Sequence, residues 1–345
     1  MALLARLNCR EYKNWMKAGH CLLILQSRLQ GYIDGEMQRF HQQLGTRAPR
    51  QRRRCQCRAR GKQFEPGCPV CAAWKELILA HHNNRNGEIY WGNSNPSLWP
   101  TQYWEVAKVY MPRGQAQIRG PEQCDAAALL NLINNCDYFR VPNISRVREI
   151  IKCRNELMHS CDMTVSTPWL TAFGQKMYNL VTELKHVPGL VRECDKMQKV
   201  LLADWNVEDL GINEFDGLPP EGKMVLQGPV AQMQGPVAQM AASLSSLSPY
   251  EVEIQLIKEL IQEMYLEIEE QSSLTKEDED KVSKIKNFLC QNEDLKFAFQ
   301  KDIKKLDSLC KTHDAEGWSY TRLSASFFTV FSLVILTAIF LGQKN

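Results

Sequence analysis

The chain has 345 residues, of which 44% are hydrophobic and 23% charged, with a formal net charge of +3 and 13 cysteines. At roughly 100–200 residues per domain this length allows about two domains plus accessory segments, and the ordinary hydrophobic fraction excludes wholesale disorder. With 19 glycines and cysteines spread over the whole length, a collagen-like chain and a small disulfide scaffold are excluded too.

The N-terminus, MALLARLNCREYKNW, returns to charged residues too soon for a signal peptide. Asn8 with Glu11 reads as a capping box, and Tyr12, Trp15, Cys21, Leu25, Leu29, Ile33, Met37 and Phe40 carry a helical rhythm to about Leu44. Gly19, Gly31 and Gly35 mark places for a kink. From Thr46 to Lys62 there are eight Arg or Lys and no acid, a solvated loop, a targeting patch or a phosphate contact. Four of the 8 Trp (Trp74, Trp91, Trp99 and Trp104) follow, enough aromatic area to seed a small core.

Cys55-Gln56-Cys57 and Cys68-Pro69-Val70-Cys71 precede His81-His82. Zinc takes four thiolate or imidazole ligands in a tetrahedron, and a C-x2-C turn sets two thiolates on one side of the ion. The other two ligands are Cys55 and Cys57, or one of them with His81 or His82 at the end of a helix over Ala72–His81. The plainer alternative is free thiols and two exposed histidines. No open coordination position can be argued, so the expected cofactor is a structural zinc.

Further helices are expected at Cys124–Cys136, at Ser145–Met158, from Thr167-Pro168 to Leu184, and at Val191–Trp205. On the second of these, Asn155 and His159 are four apart and share a face, with Arg154 beside them. A guanidinium can hold a phosphate and an imidazole can pass protons, the minimum for metal-free RNA cleavage. Residues 211–248 read as a linker containing QGPVAQM twice in tandem. Tyr250, Ile254, Ile257, Ile261, Met264 and Ile268 then mark an amphipathic helix, and a second, capped by Thr275, completes a helical hairpin or short coiled coil over 249–312. Eleven Asp or Glu between Glu251 and Lys281 are read as its solvated face. Leu323–Gly342 is twenty residues without a charge, about 30 Å of helix, which predicts a transmembrane tail anchor. A cytosolic N-terminal part would keep its cysteines reduced.

Three of these segments, the helix Cys124–Cys136, the helix carrying Arg154, Asn155 and His159, and the helix after Pro168, resemble a HEPN domain. The likeness is greatest to the branch in large RNA-binding ubiquitin ligases of animals. That family's motif is Arg, four to six residues, then His, often with a polar residue after the Arg; Arg154, Asn155 and His159 match it. The resemblance implies that Asn8–Leu44 is the remaining long helix and that residues 46–115 are an insertion. It also implies that activity would need two motifs paired across a dimer. Over most of residues 5–310 the chain is also similar to an uncharacterised animal family named for an open reading frame on the X chromosome. LNCREYKNWMKAGHCLL, CPVCAAWK, HHNNRNG, WEVAKVYMPRG and IIKCRNELMHS carry that likeness. That family has no established function to carry over, and the apolar C-terminal span departs from it.

The expected architecture is all-α. A HEPN-like bundle over 5–210, with a Cys/His-rich insertion at 46–115, is followed by the linker 211–248, the hairpin 249–312 and the transmembrane helix 323–342. The expected function is a membrane-tethered, RNA-interacting protein at the endoplasmic reticulum or mitochondrial outer membrane, with RNA binding alone and metal-independent endoribonuclease activity both left open. In the latter Arg154 would hold the phosphate, His159 would act as acid or base, and Asn155 would orient them. The rival is a non-catalytic membrane-anchored scaffold with a structural zinc, paired through 249–312 with a second copy or with partner helices.

Overall fold

In the computed structural model, which describes residues 3–49, 55–84, 88–204, 249–270 and 275–309, the chain is built from helices, with no strand among the described residues. A short helix α1 (Leu3–Asn8) leads into α2 (Arg10–Arg47), which runs 38 residues without a break. Trp15, Cys21, Leu25, Leu29, Ile33, Met37, Phe40 and Leu44 are buried along one side of α2. From Tyr12 to Gly19 and from Cys21 to Leu25 every residue is buried, so this half runs through the middle of the bundle, while beyond Leu25 only the stripe is covered. Gly19, Gly31 and Gly35 do not break it. The expected capping box at Asn8 does not form, because Asn8 ends α1 and the Cys9 amide donates back to the Ala5 and Arg6 carbonyls.

After α3 (Pro69–Ala80) come 3-10 turns at Trp91–Asn93 and Pro96–Leu98 and the short α4 (Tyr103–Ala107). The bundle is completed by α5 (Ala126–Asn135), α6 (Ser145–Met158), α7 (Thr167–Glu183) and α8 (Leu190–Leu202). α2 lies against α5, α6, α7 and α8, while α6 packs between α5 and α7. The Trp15 indole donates to the Leu157 carbonyl at 3.1 Å, pinning α2 to the end of α6. Ser166 accepts from the Trp169 amide to start α7, with Pro168 in its first turn. Gly189, at φ +78°, occupies the left-handed region before α8, a conformation that costs glycine little.

The chain forms two compact units, one of them Leu3–Leu266. α9 (Pro249–Glu270) belongs to this unit as far as Leu266. Its buried face is wider than the expected stripe: Val252, Leu256 and Leu260 are buried beside Ile257, Ile261 and Met264, whereas Tyr250 is 37% exposed. Glu253 and Glu259 are buried on it as well, so the acids of this helix are not simply a solvated face. The other unit contains α10 (Lys276–Gln291), started by a capping box between Thr275 and Asp278, then α11 (Glu293–Ala298) and a helical stretch over 300–309.

The expected transmembrane helix is corrected. No helix among the described residues is long and apolar enough to cross a membrane. The long ones, α2 and α9, carry charges along their length. Leu323–Gly342, on which the tail anchor rested, lies outside the described residues. The tail-anchored, single-pass assignment and its localisation at the endoplasmic reticulum or mitochondrial outer membrane are withdrawn with it. The tandem repeat also lies outside the described residues.

Candidate functional site

Four cysteines come together at the start of α3. The Sγ atoms of Cys55, Cys57, Cys68 and Cys71 all lie within 4.8 Å of one another. Cys68 caps α3 and Pro69 opens its first turn, which brings the Cys71 amide onto Cys68 Sγ at 3.4 Å. Burial raises the Cys68 thiol, but that amide and the neighbouring thiols outweigh it, leaving Cys68 below the ordinary cysteine value. Cys55 Sγ and Cys71 Sγ are 3.3 Å apart, far beyond a disulfide bond of about 2.05 Å. Four zinc-bound thiolates at about 2.3 Å would sit about 3.8 Å from each other, so the set could hold a zinc ion.

The surroundings hold this arrangement in place. The 55–64 segment is fastened by the Gly92 amide, which donates to the Gly61 carbonyl at 2.9 Å. A Cβ at residue 92 would lie 2.9 Å from the Gly61 nitrogen, so this approach requires glycine. Below it, Phe64, Trp91 and Trp99 form an aromatic cluster with centroids 5.4–6.1 Å apart. Lys75 lies over Phe64 and Trp91 and donates to the Phe64 carbonyl at 2.8 Å. The two histidines are at the far end of α3. His81 Nδ1 meets Asp137 Oδ1 at 2.7 Å, and His82 is stacked on Tyr110 with its Nδ1 accepting the Asn84 amide. Burial lowers the His82 imidazole. Neither histidine joins the cysteine cluster.

The Arg154, Asn155 and His159 set is divided between two sides of α6. Arg154 is 2% exposed and turned inward. Its Nη2 donates to Asp125 Oδ2 at 2.6 Å and its Nη1 to Glu263 Oε2 at 2.9 Å. Burial opposes the charge, but Asp125 and Glu263 outweigh it and hold the guanidinium above its usual value. Asp125 also caps α5 by accepting the Ala128 amide at 2.8 Å, which holds its carboxylate in place beside Arg154. Asn155 and the exposed His159 instead line an open surface groove of about 460 Å³, with Asn131, Asn134, Arg148 and Lys152 among its other walls. Arg148 Nε donates to Asn134 Oδ1 at 2.8 Å there.

Glu263, Glu259 and Asp125 were not singled out from sequence. The sequence shows the acid-rich stretch of α9, but which acids point inward depends on where the helix docks. Asp125 carried a usable signal: an Asp immediately before Ala126-Ala127-Ala128-Leu129-Leu130 is a typical N-cap.

A family described as "Domain of unknown function (DUF4559)" matches residues 6–325. A mouse (Mus musculus) protein described as "Uncharacterized protein CXorf38 homolog" is 45% identical over 320 residues, spanning 91% of this chain and 94% of its own. No solved structure matches. On the extent of both sequence matches, the chain belongs to the DUF4559 family.

Proposed function

We propose that this protein is a non-catalytic helical interaction module whose Cys-rich region is organised by structural zinc. The observation that carries this reading is the position of Arg154, buried between Asp125 and Glu263. Metal-free RNA cleavage needs a cation able to meet the phosphate as charge builds up in the transition state. A guanidinium whose two terminal nitrogens are occupied by carboxylates serves cohesion between α5, α6 and α9 instead. In this reading Cys55, Cys57, Cys68 and Cys71 would supply all four zinc ligands. A site closed in that way cross-links the chain without activating a water.

Metal analysis of the purified full chain, with RNA cleavage measured alongside, tests the proposal. About one zinc per chain, lost in Cys68→Ser, and no cleavage of single-stranded RNA in EDTA are expected. Less than about half an equivalent would sink the zinc assignment. Cleavage that disappears in both Arg154→Ala and His159→Ala would replace the module with a ribonuclease.

A second reading, RNA binding without cleavage, is favoured by the groove that holds Asn155 and His159, where Arg148 and Lys152 outnumber the one acid, Glu156, which lies 3.9 Å from Lys152, and three asparagines add amide groups. It also draws on the HEPN resemblance of this helix. Binding that weakens with salt and drops in Arg148→Ala and Lys152→Ala would support it. Binding that is absent, or unchanged by both substitutions, would remove it.

A further inference from the structure

Helix α9 docks on the bundle through an unusual mixture of contacts. Near its start, Glu253 is buried against Arg6, with Arg6 Nε 2.9 Å from Glu253 Oε1, and it also accepts from the Tyr12 hydroxyl. One turn on, Leu256 fills the space over Gly19, where a Cβ would come within 2.2 Å of Leu256 Cδ1. Further along, Glu259 and Glu263 reach the Arg154–Asp125 pair. The first contact is a buried acid matched to a buried guanidinium. The last is not balanced, since the single guanidinium of Arg154 is paired with both Asp125 and Glu263, and the buried Glu259 lies one turn before Glu263 within reach of their charges.

We propose that Pro249–Leu266 is a pH-sensitive latch over the Arg154 face of the bundle, tightened when the Glu259 carboxyl is protonated and loosened when it ionises. Glu259 is 9% exposed, and Gln255 Nε2 donates to its Oε1 at 3.0 Å. The charged groups facing it are Asp125 from the cap of α5, Arg154 from α6 and Glu263 from its own helix. Burial, then Asp125, push this carboxyl up to about 7, with Gln255 and Arg154 acting in the opposite direction and Glu263 adding to the rise.

Protonation fixes the direction of the switch. Released into water, Glu259 would return to an ordinary value of about 4.3. Between the two values the docked helix holds a proton that the released helix does not, so docking takes up one proton. The docking constant therefore falls as pH rises through this window, by up to about tenfold per pH unit, and levels off above it. The Arg6–Glu253 pair holds the start of the helix against the bundle. Opening uncovers Arg154, leaving it paired with Asp125 alone, together with the apolar strip around Gly19. This device goes beyond the interaction-module reading and does not depend on zinc.

Hydrogen exchange of the full chain, followed peptide by peptide and corrected for intrinsic rates between about pH 5 and about pH 8, tests it. The opening constant of 249–266 should climb up to about hundredfold from about pH 5 to about pH 7 and then flatten. α2 between Tyr12 and Leu25 should not follow. Glu259→Gln and Glu259→Leu, neither of which can ionise, should each give a flat profile. A flat profile in the unaltered chain would overturn the proposal. So would an unchanged slope in both variants, or a rise shared equally by α2.

Discussion

Gly19 and Leu256 meet so closely that residue 19 has no room for a side chain: an added Cβ would lie 2.2 Å from Leu256 Cδ1 and 2.8 Å from its Cγ. The glycine sits inside α2, where alanine would favour the helix by about 1 kcal/mol. The absence of a side chain is therefore set by α9 and not by the helix that contains it. This contact ties the central helix to a segment reached only after the long stretch between α8 and α9.

Gly19→Ala should accordingly separate two properties that most core substitutions move together. The bundle should stay as stable or gain slightly, while 249–266 loses its seat and exchanges amide protons at least about tenfold faster. Leu256→Ala in the same chain removes the obstruction. The double variant should then be better docked than the sum of the single effects predicts, by about 1 kcal/mol or more. Strict additivity would show that the two residues do not meet.

Arg154 provides a second prediction. Arg154→Met leaves Asp125 and Glu263 without their shared cation, and removing one partner of a buried ion pair costs about 3–5 kcal/mol. Denaturant unfolding should show a loss of this order. Neutralising the carboxylates as well, in Arg154→Met/Asp125→Asn/Glu263→Gln, should restore much of it. A loss of stability as large in the triple variant would mean that the guanidinium packs but does not pair.

His20 gives the bundle an acid sensitivity opposite in sign to that of the latch. Burial lowers its imidazole from 6.5 to about 4, so the folded chain binds fewer protons than the unfolded one between these values. Its contribution is complete above about pH 6.5 and is lost as pH falls toward about 4. From pH 7 to about pH 5 the global unfolding free energy should drop by up to about 2 kcal/mol through this group. His20→Gln should flatten that part of the profile. Glu259 works against this over the same interval, because global unfolding releases it too, so the His20 comparison is made in the Glu259→Gln background.

Helices were legible where one face alone is apolar. Val147, Ile150 and Leu157 place α6 at Ser145–Met158, the bounds observed. The C-x2-C turn at Cys68 and Cys71 was also readable, because proline and cap residues act locally. The destination of Arg154 was not. It neighbours Asn155 in the chain but lies about 100° around the helix from it, on the side that α9 covers. Its partners Asp125 and Glu263 are distant in sequence, and nothing local distinguishes the buried Glu259 from the exposed acid Glu251. The length rule that marked Leu323–Gly342 weighs only apolar length, and no described helix satisfies it.

The final prediction concerns which residues would take the metal. Spacing alone left His81 and His82 as alternatives to Cys55 and Cys57, and the geometry separates the two sets. His81 is engaged with Asp137 and His82 with Tyr110 and Asn84, while the four thiols share one cluster. Cys55→Ser and Cys57→Ser should each lower bound zinc, and His81→Ala and His82→Ala should leave it near one equivalent. Because zinc binds thiolates, acidification should release the metal as protons compete for sulfur, and Trp91 and Trp99 fluorescence should change with it. That coupling is expected because Cys71 Sγ contacts the Pro96 carbonyl at 3.5 Å, at the start of the turn leading to Trp99. Zinc retained by Cys55→Ser and lost by His82→Ala would reverse the assignment.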